Sequence, residues 1–170
     1  FQMRAFEDRF ITLGLPYRVI GGPRFYERQE IRDATAYFDV TLNPANDLKF
    51  ERIANTPRRG LGESSLKSLH QLARAHNVPL MQAARLIVET EELKPKSRKA
   101  LSDLIAAFDR WRSMIDTMRH TELAELILDE SGYTQMWQAE KSPQAQSKLE
   151  NLKELIRFME EFDTLAGFME

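Results

Sequence analysis

The sequence predicts a mostly α-helical fold: a compact multi-helix domain with a helix-hairpin-helix-like element and one short strand near its N-terminus. After Arg24, apolar residues recur every three or four positions over most of the chain. Residues 17–20, Tyr-Arg-Val-Ile, are the only good strand signal, and one strand cannot form a sheet alone. Glycine, proline and asparagine separate the helical segments at intervals short enough for a bundle.

The apolar spacing and the breaking residues place the elements in order. A short first helix ends at Gly14, and the strand after it is closed by Gly-Gly-Pro at 21–23. The helix that contains Ile31 and Phe38 is broken by Asn-Pro at 43–44. The predicted helices cover residues 5–13, 31–42, 47–55, 63–76, 79–90, 97–118, 121–128 and 143–159.

Two helix starts carry recognisable caps. Thr121 is predicted to cap the helix that runs through residue 128. Ser142 followed by Pro143 is an N-cap and first-turn pair, which predicts the start of the last long helix.

The aromatic residues of the C-terminal half are expected mainly in the core. Phe108 and Trp111 fall on the apolar stripe of the 97–118 helix, which favours packing over base stacking. Trp137 lies on a short, weak helix, and the pattern leaves open whether it is buried or exposed.

Composition excludes several classes of protein. The 170 residues are 42% hydrophobic and contain no cysteine, so a disulfide scaffold and a thiolate metal site are excluded and a reducing compartment is expected. No apolar run approaches the roughly 18 residues of a membrane span. The chain begins at Phe1 without the features of a signal peptide, and we expect it to be part of a longer protein.

Charge is unevenly distributed, although the net charge is only −2. Residues 75–170 contain 12 cations and 17 anions, whereas residues 49–76 contain six cations and two anions. The 49–76 segment is either a solvated face or a local anion-binding surface. Its cations are Lys49, Arg52, Arg58, Arg59, Lys67 and Arg74.

Residues 55–66, Asn-Thr-Pro-Arg-Arg-Gly-Leu-Gly-Glu-Ser-Ser-Leu, join two predicted helices by a turn that contains Gly-x-Gly. Glycine permits positive φ and a close approach of a ligand to the backbone. Free amides at the start of the 63–76 helix, together with the helix dipole, form a site for phosphate. The pattern predicts contact with a duplex backbone without selection of sequence, and the alternative is a plain turn. The candidate DNA-binding residues are Arg58, Arg59, Gly60, Leu61, Gly62, Ser64, Ser65 and Lys67.

No catalytic or metal site is predicted. His70, His76 and His120 do not share a ligand spacing. A nuclease or glycosylase that used such a hairpin would need a catalytic Asp or Lys beside it. Asp47 and Lys67 are the only candidates, and both are better explained as helix-terminal or surface charges.

Several segments resemble the UvrD/PcrA/Rep-type superfamily 1 DNA helicases. Residues 21–33, Gly-Gly-Pro-Arg-Phe-Tyr-Glu-Arg-Gln-Glu-Ile-Arg-Asp, resemble the run that leads from motor domain 2A into accessory domain 2B. Residues 55–62 resemble the family's duplex-contacting "GIG" element, with Leu61 in place of the central isoleucine. Residues 148–155, Lys-Leu-Glu-Asn-Leu-Lys-Glu-Leu, resemble the helix that closes domain 2B.

The resemblance implies a domain division and further site residues. Residues 1–27 would be the tail of motor domain 2A, and residues 28–170 would be domain 2B. Gln2 and Arg4 lie in a segment that resembles one near the single-strand track. The junction between the domains, where a hinge is expected, would comprise Gly21, Gly22, Arg24, Phe25, Arg28 and Glu30, with Glu30 paired to Arg28 or Arg32.

The resemblance also implies what the parent protein does. The chain contains no phosphate-binding Gly-x-x-x-x-Gly-Lys-Ser/Thr loop, so ATP and Mg²⁺ are expected only in the parent helicase, with no cofactor in this segment. The implied partners are double-stranded DNA and single-strand/duplex junctions, helicase domains 1A, 1B and 2A, and repair proteins, with no membrane. The implied location is the bacterial cytoplasm, in association with the nucleoid. The alternative function is a protein-docking module with little DNA affinity of its own.

Overall fold

The computed structural model describes residues 23–170 of the protein. This part of the chain forms ten α-helices and no strand, which confirms the predicted mostly α-helical class. The predicted first helix and the strand at 17–20 lie outside the described residues. The helices are α1 Pro23–Glu27, α2 Gln29–Leu42, α3 Asp47–Ile53, α4 Glu63–His76, α5 Leu80–Ile87, α6 Pro95–Ser113, α7 His120–Glu130, α8 Tyr133–Glu140, α9 Pro143–Met159 and α10 Leu165–Met169.

Helix α2 is central to the fold. Helices α1, α3, α6, α7, α9 and α10 all pack on it. Nine of its 14 residues are buried, and at 100° per residue they cover more than half of its circumference. The apolar spacing predicted a single stripe, but a helix with neighbours on several sides buries a wider arc. That arc includes the charged residues Glu30 and Asp33.

An aromatic cluster joins α2 to α6. The Tyr37 ring centroid lies 6.0 Å from that of Phe108 and 6.3 Å from that of Trp111. Phe108 and Trp111 are both buried, which confirms the predicted core role. Trp137, which the sequence left undecided, is also buried, and the ammonium of Lys148 lies 5.1 Å from its ring.

Several helix ends differ from the prediction. Helix α4 has the predicted bounds, but α3 and α5 are shorter than expected and α6 ends at Ser113. Beyond that residue the backbone bonds change to the tighter i→i−3 pattern, from Met114 N to Trp111 O (3.0 Å) and from Ile115 N to Arg112 O (3.3 Å). The α-helix therefore gives way to turns before residue 118.

The predicted cap at Thr121 is wrong. Helix α7 begins at His120, and Arg119 occupies the N-cap position. Thr121 lies inside the first turn, where it is buried and its hydroxyl accepts a hydrogen bond from Arg119 Nε at 3.3 Å.

The predicted cap at Ser142 is confirmed. Its hydroxyl accepts a hydrogen bond from Ala145 N at 3.0 Å, and Pro143 is the first residue of α9. We expect Ser142→Ala to lower the free energy of unfolding by about 1 kcal/mol, as measured by urea denaturation. Ser102→Ala, at an exposed position inside α6, is the control and should cause no loss. Equal effects of the two substitutions would contradict the capping role.

Candidate nucleic-acid interface

The predicted hairpin lies between α3 and α4. Gly60 has φ +79°, in the left-handed region that favours glycine. Gly62 is the N-cap of α4 in extended conformation, and a Cβ added there would meet nothing within 4 Å. The first glycine therefore makes the turn, and the second leaves open space in front of the start of α4.

Asn55 and Leu61 hold the turn in shape. The side-chain oxygen of Asn55 accepts hydrogen bonds from Arg59 N at 2.6 Å and from Leu61 N at 3.1 Å. The Leu61 side chain is fully buried, so it anchors the turn and does not offer a binding surface. Asn55 was predicted as the last residue of the 47–55 helix, although asparagine commonly accepts bonds from backbone amides further along a turn.

Arg59 has a different role from the one predicted. Its terminal nitrogens donate to Ile53 O (2.8 Å) and Ala54 O (3.1 Å), and across the fold to Tyr37 Oη (2.6 Å) and Ser131 O (3.0 Å). A guanidinium has four terminal N–H donors, and these four bonds match that number. Arg59 is therefore used inside the protein to fix the hairpin on α2 and on the end of α7.

Tyr37 completes this arrangement from α2. Its hydroxyl donates to Thr56 O at 2.5 Å while it accepts from Arg59. Burial raises the pKa of Tyr37, against the opposing effect of the Arg59 charge. The hydroxyl therefore stays protonated and keeps its donor to the hairpin backbone.

Arg52 is also used internally, through an ion pair of 2.8 Å from its Nε to the buried Asp33. Two of the six cations between residues 49 and 76, Arg52 and Arg59, thus form contacts inside the domain. Arg58, Lys67 and Arg74 are exposed. The cationic surface is real but smaller than the sequence count indicated.

The start of α4 is open to a ligand. Among the described residues no side chain caps this helix. Its first amides belong to Glu63, Ser64 and Ser65, and the positive end of the helix dipole lies there. Ser64 is exposed, whereas Ser65 is 8% exposed.

A second helix start lies beside the first. Ser97, in the first turn of α6, donates a hydrogen bond from its hydroxyl to Gly60 O at 2.8 Å. Lys94 occupies the N-cap position of α6 and is exposed. The two segments are more than 30 residues apart in sequence, so local patterns gave no signal of their contact. A surface groove of about 360 Å³ lies between the two segments. It is lined by Gly60, Gly62, Ser64, Ser65, Ser68, Glu92, Leu93, Lys94 and Ser97.

The predicted junction residues lie on α1 and the start of α2. Arg24 and Arg28 are exposed, and Phe25 is buried with its ring centroid 5.4 Å from that of Tyr26. Phe25 is therefore a core residue at the start of the described part of the chain. Gly21 and Gly22, together with Gln2 and Arg4, lie outside the described residues.

Glu30 does not form its predicted ion pair with Arg28 or Arg32. It is 2% exposed and accepts a hydrogen bond from Asn151 Nδ2 at 2.7 Å, and the Lys148 ammonium lies 3.7 Å away. Glu30 lies on the buried side of α2, where its carboxylate faces α9. Two of the segments that carry the family resemblance, 21–33 and 148–155, therefore meet at this carboxylate.

The candidates for other chemistry have structural roles. Asp47 accepts a hydrogen bond from Leu80 N at 2.9 Å, which ties α3 to the start of α5. Within residues 23–170, no three His, Asp or Glu side chains are grouped so that they could hold a metal ion. In the same part of the chain, no helix has the length and apolar character that a membrane span requires.

A helical domain with exposed cations beside open helix starts has the features of a module that contacts an anionic backbone. Comparison with known proteins identifies the family. The model of the UvrD-like helicase C-terminal domain matches residues 2–167, so the chain belongs to this family.

Curated relatives agree with this assignment. The chain is 41% identical to DNA helicase II of Rickettsia typhi over its full length, which is 26% of that protein. It is 36% identical to the ATP-dependent DNA helicase PcrA of Bacillus subtilis, with 99% of the chain and 23% of that protein covered. It is 35% identical to DNA helicase II of Escherichia coli, with 95% and 22% covered. The chain thus spans about a quarter of the length of these relatives.

Proposed function

We propose that this chain is the duplex-DNA-binding and regulatory accessory domain, 2B, of a UvrD-type ATP-dependent 3′-to-5′ DNA helicase. The observation that carries the proposal is the exposed Arg58 beside the uncapped start of α4, on a hairpin that the rest of the fold holds rigidly. Relatives that match all or nearly all of the chain are named DNA helicases, which supports DNA as the ligand of this surface.

The proposed grip is directed at the phosphate backbone. The amides at Gly62, Glu63 and Ser64 would hold one phosphate, and Arg58 and Lys67 would contribute charge to its neighbours. None of these groups reads a base edge, so binding would be independent of sequence and would weaken with salt. Ser65 and Leu61 would support the site from behind, and Arg59 would act as a positioning residue.

The parent protein would supply the remaining functions. Residues 1–27 would belong to motor domain 2A, with Gln2 and Arg4 near single-stranded DNA, and residues 28–170 would form 2B. ATP and Mg²⁺ would bind in the parts of the helicase outside this chain, formed by domains 1A, 1B and 2A. Rotation of 2B at residues 21–30 would regulate unwinding during repair in the bacterial cytoplasm, at the nucleoid and with repair-protein partners.

Arg58→Ala tests the proposed grip. We expect the substitution to weaken binding of the 170-residue chain to a fluorescently labelled duplex with a single-stranded tail, equally for unrelated sequences. The slope of log K against log salt should decrease in magnitude by about 0.9, which corresponds to one lost phosphate contact. Fluorescence anisotropy between about 50 and 200 mM salt measures both quantities.

Arg157→Ala is the matched control, because it removes the same charge from α9, where Arg157 pairs with Glu154 on the surface. It should leave the slope unchanged. Binding that is unaffected by Arg58→Ala, or a wild-type chain that does not bind duplex even at low salt, would contradict the proposed function. In the second case the protein-docking alternative would be preferred.

A further inference from the structure

We propose that Asn55 is a positioning residue of the duplex grip, and that its side chain is uncharged because the ligand of the hairpin is an anion. This inference rests on the proposed function and deepens it at the same site. Asparagine meets both conditions, since it supplies the acceptor that the turn requires and carries no charge that would repel a phosphate.

A single atom of Asn55 closes the turn. Its Oδ1 accepts hydrogen bonds from Arg59 N at 2.6 Å and from Leu61 N at 3.1 Å, which uses both lone pairs of the oxygen. The two amides belong to alternate residues that lie inward, Leu61 fully buried and Arg59 partly buried. Arg58 and Gly60, which alternate with them, are exposed. The Asn55 oxygen therefore holds the turn in the form in which Arg58 points outward.

The nitrogen of the Asn55 side-chain amide lies away from these bonds. Backbone N–H groups only donate, so the oxygen faces them and Nδ2 is directed elsewhere. Within residues 23–170, the one buried side-chain nitrogen or oxygen that lacks a partner is Trp137 Nε1, and in the same range Nδ2 of Asn55 donates to no other group. Nδ2 therefore reaches water. In an aspartate, the second carboxylate oxygen would take this place and bring a negative charge to the surface of the hairpin.

Exchange of asparagine for aspartate at residue 55 separates ligand binding from stability. A carboxylate would still accept from both amides, and charge-assisted bonds of this kind are stronger than neutral ones. The turn by itself would therefore be at least as stable with aspartate. A phosphate bound at the amides of residues 62–64, beside Arg58, would instead be repelled by the added charge, and salt would screen that repulsion. An uncharged acceptor at residue 55 thus suits an anionic ligand better than it suits the turn.

Asn55→Asp is the main test, made with the tailed duplex and the 170-residue chain. We expect the midpoint of urea denaturation to stay at or above that of the wild type. Duplex affinity should fall about three- to tenfold at about 50 mM salt and by less at about 200 mM, because salt screens the repulsion. Asn43→Asp is the matched control, since Asn43 is exposed at the C-cap of α2 and its oxygen also accepts from a backbone amide, Ala45 N, at 3.1 Å. It should leave duplex affinity unchanged.

Asn55→Ala tests the positioning role. It removes the acceptor of two backbone amides, so the denaturation midpoint should fall and duplex binding should weaken about tenfold. If Asn55 acts through the position of Arg58, the loss of affinity in the double variant Asn55→Ala/Arg58→Ala should be smaller than the product of the two single losses. A residue that only supported the fold would give single losses that multiply.

The inference is overturned, with the proposed function intact, if Arg58→Ala reduces the salt slope while Asn55→Asp binds duplex as tightly as Asn43→Asp. It is also overturned if Asn55→Asp loses as much stability as Asn55→Ala, because the oxygen would then not be the group that forms the turn. Single losses that multiply in the double variant would overturn the positioning role. A wild-type chain that does not bind duplex at low salt overturns both proposals.

Discussion

Arg59→Ala is expected to lower the free energy of unfolding by about 3 kcal/mol, because several buried acceptors lose a charged donor at once. The carbonyls of Ile53 and Ala54 in the hairpin would lose the guanidinium donor, and so would Ser131 O at the end of α7. Tyr37 would lose the donor to its hydroxyl. The turn would lose the bonds of Arg59 to α2 and to the end of α7, and duplex binding should fall together with stability.

The adjacent Arg58 is the matched control for this experiment. Arg58→Ala should change the free energy of unfolding by less than about 0.5 kcal/mol, since its side chain is exposed. Arg59→Lys should recover only part of the loss, because an ammonium cannot reproduce the planar fork of a guanidinium. Urea denaturation followed by circular dichroism measures all three variants. Equal stabilities of Arg58→Ala and Arg59→Ala would refute the positioning role.

The contrast between these two arginines shows what the sequence could and could not predict. The break between two helices, its glycines and the bounds of α4 were predictable, because glycine and helical spacing act locally. Which of the two arginines points outward could not be predicted, because successive side chains in a turn point to different sides. Two of the partners of Arg59 are distant in sequence, Tyr37 on α2 and Ser131, which is 72 residues away.

The groove and the central helix were missed for a related reason. The contact between Ser97 and Gly60 joins residues 37 positions apart, and neither local sequence pattern predicts it. Charged residues are expected at the surface, so Glu30 and Asp33 on α2 were not recognised as buried groups. Burial of a carboxylate depends on whether partners from other helices surround it, which is a property of the tertiary fold.

Asp33→Ala is expected to destabilise the fold by about 3 kcal/mol, because a partly buried guanidinium and a buried tyrosine hydroxyl lose the same acceptor. Asp33 is 3% exposed and joins three helices, since it accepts from Arg52 Nε on α3 (2.8 Å) and from Tyr133 Oη on α8 (2.7 Å). Burial and the Asp33 charge raise the pKa of Tyr133, so its hydroxyl remains a donor. Without the carboxylate, a cation and a buried hydroxyl both lose their partner.

Chemical denaturation of Asp33→Ala, Tyr133→Phe and the double variant separates these two contributions. Tyr133→Phe removes only the hydroxyl and should cost less, about 1–3 kcal/mol. The double variant should be less destabilised than the sum of the single ones, because the carboxylate and the hydroxyl interact directly. Asp39→Ala, on the same helix at a partly exposed position, is the control for loss of a carboxylate. If it destabilised the protein as much as Asp33→Ala, the effect would belong to α2 in general and not to the bond network that joins α3 and α8 to it.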